Sequence, residues 1–120
     1  MTGTEAEILT TVLERWKTAV DAHDPQRVAE NFTYDAIFQG LHPYTVGPGG
    51  VAAYYDGQPI GMTAAYQLLE TRRLAADLVL GYLAVDFAFT DRPTRNVNLG
   101  VIVRRVGDDW LIAHYQVSQL

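Results

Sequence analysis

Asp86 interrupts an otherwise apolar run: it stands between Val85 and Phe87 within residues 77–90, on the same side of an extended chain as Tyr82 and Ala84. A carboxylate held among apolar neighbours is a candidate acid or base, because loss of water favours its protonated form. Bonded at a rim or a pairing face to Asn98, Arg104 or a tyrosine hydroxyl, the same residue would be structural. Tyr115 is the second candidate. Alternation along 109–118 turns it, with Ala113 and Val117, towards an interior that its hydroxyl would help to wall. To act as a general acid its phenol would have to be drawn down from about 10, and no neighbour in the sequence does that. His114 shares the other side with Trp110, Ile112, Gln116 and Ser118, and reads as a satisfied interface histidine.

Other constellations exclude more than they offer. Three scattered histidines without H-x-H or H-E-x-x-H spacing give no metal site. Ser118, the lone serine, has no elbow motif around it. Gly47-Pro48-Gly49-Gly50 could cradle a phosphate, but no P-loop lysine follows and turn geometry explains it better. Gln39, His42 and Tyr44 bracket a loop and could touch a ligand there. Asn31-Phe32-Thr33 is a glycosylation sequon without a secretion signal to make it meaningful.

The elements that position these residues follow from spacing. Ile8, Leu9, Val12, Leu13, Trp16, Ala19 and Val20 recur at three and four, one face of a helix. Thr4 and Glu7 form a capping-box pattern, so this helix starts near Glu5 and ends before Asp24-Pro25. Asp24 as N-cap and Pro25 as first residue open a short second helix carrying Val28, Ala29 and Phe32. Residues 36–39 read as a short strand, 40–50 as loop and 51–55 as a third short helix. Beyond Pro59 the period becomes two, with strands at 63–73, 77–90, 95–106 and 109–118 joined by short turns, hence antiparallel. Gly81 and Gly100 inside strands suggest bulges. Run 77–90 is apolar on both sides, so one face covers the helices and the other is covered by a second copy of the chain.

Composition bounds the function. One domain is expected from 120 residues, and 48% hydrophobic residues, with two tryptophans, seven tyrosines and four phenylalanines, supply an ample core. A net charge of −5 argues against nucleic acid or an anionic membrane as partner. Without cysteine there is no disulfide, thiolate nucleophile or Cys-based zinc site. The start, Met1-Thr2-Gly3-Thr4-Glu5, has neither a basic nor an apolar leader region, and a cytoplasmic protein is expected.

The stretch Asp24 to Phe38, with Phe32, Asp35 and Ala36, resembles the opening of the nuclear-transport-factor-2-like superfamily. Gly107-Asp108-Asp109-Trp110-Leu111-Ile112-Ala113-His114 through Ser118 is similar to its closing strand. The nearest branch looks SnoaL-like, close to the SgcJ/EcaC group and the association domain of calcium/calmodulin-dependent protein kinase II. The resemblance implies an α+β cone: N-terminal helices packed on a strongly curved antiparallel sheet, a single SnoaL-like domain over residues 1–120, and a cavity between helices and sheet. The site residues it implies are mostly missing. Trp16 stands where the ketosteroid isomerase branch has an oxyanion tyrosine, Gly40 where it has its general base, and Val101 to Val103 where a second acid falls. Only Tyr55 matches a site tyrosine. Asp21 matches the dehydrochlorinase aspartate, but its histidine partner would lie at Ala64 or Ala65. The arginines through which the kinase hub binds carboxylates fall at Ala84, Val101 and Val117, so a small anion is not the expected ligand. Strand parity matched to the hub turns Tyr82 and Asp86 towards the cavity.

The resulting expectation is a small-molecule-binding protein with an apolar, aromatic-walled pocket for a neutral hydrophobic ligand. Its ligand-binding residues would be Trp16, Gln39, Tyr55, Tyr82, Val101 and Val117, with no cofactor, and the chains would form a homodimer through the outer sheet face. Two alternatives stand beside it. One is a cofactor-independent isomerase, dehydratase or cyclase with Asp86 as acid/base and Tyr55 or Tyr115 as donor. The other is a structural dimerisation module whose cavity is filled by its own side chains.

Overall fold

A computed structural model describes residues 3–120; Met1 and Thr2, on which part of the expectation about a leader rests, lie outside the described residues. Helix α1 (Glu5–Asp21) begins with the expected capping box: the Thr4 hydroxyl accepts from the Glu7 N–H, and the Glu7 carboxylate accepts from the Thr4 N–H. Its seven periodic apolar residues are all buried. These Thr4 bonds hold the Glu7 carboxyl below its ordinary range. The unfolded chain therefore binds the more protons as pH falls, so this stabilisation is complete above the unfolded carboxyl range and lost as pH drops through the lower folded value. Glu7→Gln keeps an acceptor in the box but cannot titrate. Thermal unfolding from pH 7 to pH 3 should show a shallower acid decline for this variant, the two proteins converging once Glu7 is protonated.

Helix α2 (Pro25–Ala29) is capped by Asp24, whose carboxylate accepts from the Arg27 N–H. Phe32 is not in it, contrary to the spacing argument: it starts strand β1 (Phe32–Gln39), and its ring packs on Phe38 and Tyr115. Residues 40–50 are also more ordered than a loop. They hold strand β2 (Thr45–Val46) and the start of helix α3 (Pro48–Asp56). Gly47 takes φ +90°, open to glycine, and Pro48 fixes the first helical residue, which together turn the strand directly into the helix.

Strands β3 (Thr63–Ala75), β4 (Leu78–Ala88), β5 (Arg95–Val106) and β6 (Asp109–Gln119) follow. The six strands order as β2-β1-β6-β5-β4-β3, antiparallel except that β1 runs parallel to β6. That pairing completes the sheet from the far end of the chain, and no local pattern encodes it. The helices lie on one face, where Trp16, Leu9, Leu83, Leu99, Ile112 and Tyr115 are fully buried. Neither Gly81 nor Gly100 is a bulge. A Cβ on Gly81 would stand 2.9 Å from Leu9 Cδ2, so this glycine makes room for α1 to sit close on the sheet. The register shifts fall instead at Leu68/Glu70 and Arg73/Ala75 in β3, between Phe32 and Ile37 in β1, and at Ile102/Val103 opposite β6. The last of these lets Ile112 and Tyr115 both point inward, although simple alternation puts them on opposite sides.

Candidate ligand-binding site

Three polar atoms sit inside the aromatic core. The Trp16 indole Nε1 donates to the Tyr55 hydroxyl at 3.2 Å, and the Tyr55 and Tyr115 hydroxyls share a hydrogen bond at 3.1 Å. Helix α1 supplies Trp16, α3 supplies Tyr55 and β6 supplies Tyr115, so the chain of bonds ties three elements together. Phe38 stacks on Tyr115 at 4.6 Å between ring centroids, and Phe87 meets Trp16 edge-on at 6.1 Å. Burial pushes the Tyr55 and Tyr115 phenols well above their ordinary value, so both stay protonated and act as donors rather than bases. The triad brings three donor hydrogens to two bonds. One hydroxyl hydrogen is therefore unspent among the described residues.

Beside the triad lies a hollow of about 40 Å³, room for two or three waters. Buried Tyr55, Met62 and Val97 form its inner end, half-buried Phe87 and Val117 its walls, and exposed Leu41 and Arg95 its rim. Tyr54, Gln58 and Phe89 complete it. Arg95 is the only charged residue in this lining, and no carboxylate or imidazole belongs to it.

The sequence-derived candidates divide accordingly. Trp16, Tyr55, Tyr115 and Val117 come together at the triad or the hollow. Val101 is fully buried in the sheet core, near Gly81, and does not line the hollow. Gln39 donates to the carbonyls of Gly40 (2.9 Å) and His42 (2.6 Å), tying down the loop at the strand end. For Tyr82 and Asp86 the expected facing is reversed. The β4 residues Val79, Gly81, Leu83 and Val85 are the buried ones, so Tyr82 and Asp86 stand on the outer face, where Asp86 accepts from Asn96 Nδ2. A carboxylate there is out of reach of the hollow. The physical reason is Gly81: only the residue without a Cβ can lie under Leu9, and it sets the parity of the strand.

The positions marked by resemblance are explained by packing. A Cβ on Gly40 would stand 2.6 Å from the Tyr54 ring, which fills the place where a general base would project. Asp21 accepts from the Ala64 N–H (2.8 Å) and from Lys17 Nζ (2.8 Å), and Lys17 also donates to the Ala64 carbonyl (2.6 Å), a clasp between α1 and the start of β3. Sequence reasoning missed Met62, Phe89 and above all Arg95. The register Phe87 to Arg95 across the β4–β5 hairpin is what brings Arg95 to the rim.

No family model matches the chain, and no curated protein matches it. Solved structures do. A ketosteroid isomerase-like protein from Erwinia carotovora superposes with a TM-score of 0.83 at 20% identity, covering 99% of this chain and 98% of that one. A nuclear transport factor 2-like protein of unknown function from Shewanella oneidensis gives 0.82 at 14%, covering 95% and 98%. A protein named for the calcium/calmodulin-dependent protein kinase II association domain, from Xanthomonas campestris, gives 0.84 at 12%, covering 99% and 89%. At such identities the likeness establishes the fold alone: the chain has the α+β fold of these nuclear-transport-factor-2-like structures. No helix among the described residues is long and apolar enough to cross a membrane.

Proposed function

We propose that this chain is a non-catalytic, SnoaL-like binding domain that takes a small, mostly apolar molecule in the hollow beside Tyr55. The observation that carries this reading is the combination of apolar walls, Met62, Phe87, Val97 and Val117, with a buried hydroxyl hydrogen that has no acceptor. With Tyr115 donating to Tyr55, the spare O–H is that of Tyr55, which lines the hollow and would meet one acceptor on the ligand. We propose no reaction. A proton shuttle needs a group that titrates near the transferred proton, and the hollow offers Tyr54 and Tyr55, both raised by burial. The small volume admits only the end of a slim chain entering past Leu41 and Arg95, the rest of the molecule lying at the rim, and not a fused-ring body.

Titration with hexan-2-one, a neutral chain with one acceptor, tests this by amide chemical shifts. Shifts should cluster at Tyr55, Met62, Val97 and Val117. Val117→Phe, which fills the hollow, should abolish them while leaving the unfolding midpoint within a few degrees. Absence of shifts in the native protein overturns the reading. It would leave the second one, which the volume of about 40 Å³ favours: an interior filled by its own side chains, with pairing as the whole function.

Pairing itself is supported by the outer sheet face. Val46, Ile37, His114, Ile102 and Leu80 register side by side across five strands, β2 to β4, with Tyr82 one step further along β4. Ile37 is 45% and Tyr82 37% exposed. An antiparallel sheet with one face in water carries polar residues there, and in this row His114 is the single one among four aliphatic side chains. A second copy of the chain is the proposed cover.

A further inference from the structure

Arg95 is a cation without a counter-ion at the rim of an apolar hollow. Among the described residues it makes neither an ion pair nor a side-chain hydrogen bond, whereas its neighbour Arg92 is held by Asp91 at 3.0 Å and lies over the Phe89 ring. Asp91, the nearest acid in sequence, is thus already engaged. Next to Arg95 the Tyr54 hydroxyl accepts from the Leu41 N–H at 3.4 Å, and its own hydrogen has no acceptor among the described residues. Burial raises the Tyr54 phenol, against the Leu41 bond and the charge of Arg95, so it too remains a donor. The rim therefore presents a full positive charge and an unspent O–H above the apolar walls of Met62, Phe87, Val97 and Val117, with no carboxylate in the lining to compete. A planar guanidinium with a second donor beside it suits a carboxylate.

Resting on the binding reading above, we propose that the ligand is an amphipathic carboxylate: a slim, mostly apolar chain lying against Met62, Phe87, Val97 and Val117, with one acceptor at its inner end for the Tyr55 O–H and its carboxylate on Arg95, the Tyr54 hydroxyl being the second donor there. This replaces the expectation of a neutral ligand. That expectation followed from the positions marked by resemblance, Ala84, Val101 and Val117, and Arg95 is not one of them.

The test compares hexanoate with hexanamide, which share a chain and differ in charge, by calorimetric or chemical-shift titration at low salt. The native protein should bind hexanoate about tenfold more tightly, the scale of one charge-assisted hydrogen bond. Arg95→Gln should bring that ratio close to one, Arg92→Gln should leave the ratio intact, and added salt should weaken hexanoate more than hexanamide. Arg95 is exposed, so its variant is expected to keep the native unfolding midpoint. Equal binding of the two compounds, or a ratio that survives Arg95→Gln, overturns the carboxylate assignment and leaves the pocket standing. Failure of both compounds to bind overturns the pocket and the assignment together.

Discussion

Replacing Tyr55 by Phe should cost about 2–6 kcal/mol of stability, and adding Tyr115→Phe to that variant should restore part of it. The asymmetry comes from counting hydrogens. Tyr55 stands in the middle: its oxygen receives the Trp16 indole at 3.2 Å and its hydroxyl meets that of Tyr115 at 3.1 Å. All three residues are at most 3% exposed, so bulk water does not replace a lost partner. Tyr55→Phe strands two buried polar groups at once, each at a cost of about 1–3 kcal/mol. Tyr115→Phe strands none, because the Tyr55 oxygen keeps the indole, and it should cost about 1 kcal/mol or less. In the double variant only the Trp16 N–H is orphaned. Denaturant unfolding of the four proteins measures the coupling directly. If the two changes simply add, or if Tyr115→Phe is the more damaging, the triad is not the bonded chain described above.

The parts of this molecule that local chemistry determines were legible in its sequence. The α1 capping box and its apolar stripe lie within a few residues of one another, and they appear where Thr4, Glu7 and the Ile8–Val20 spacing put them. Strands β3 to β6 follow from period two. What alternation cannot supply is the choice between the two sides of a strand apolar on both. In β4 that choice rests on Gly81 meeting Leu9, a contact 72 positions away along the chain, and reading it the other way put Asp86 and Tyr82 in the cavity. Likewise the register shift beside Ile102 and Val103 is invisible in Ile112-Ala113-His114-Tyr115, yet it decides that Ile112 points inward. Arg95 was missed for a related reason. An arginine following a turn looks like any solvated charge until the hairpin register sets it opposite Phe87. The hollow is thus built from residues whose types were plain and whose neighbours were not.

Substituting Ile102 by Arg should turn a pair of chains into single ones. Ile102 registers with Leu80 on one side and His114 on the other, at the middle of the apolar row on the outer face. In one chain it is only half-buried, so an arginine can lay its stem along the sheet and keep its charge in water; the fold should lose little. In a two-fold pair the change occurs twice, and each guanidinium would be shut into an apolar contact, with a second His114 the nearest polar group if the copies meet row to row. A penalty of about 2 kcal/mol per copy raises the dissociation constant roughly a thousandfold. Light scattering after size exclusion should then fall from twice 13.3 kDa to 13.3 kDa at micromolar concentration. Ser118→Arg is the control: it lies on the same face but beyond the apolar row, is exposed, and should leave the pair intact. A native protein that runs as one chain, or an Ile102→Arg protein that still runs as two, removes the second copy as the cover of this face. The row would then require a different protein to account for it, because Val46, Ile37, Ile102 and Leu80 on one sheet face do not remain open to water without consequence for solubility.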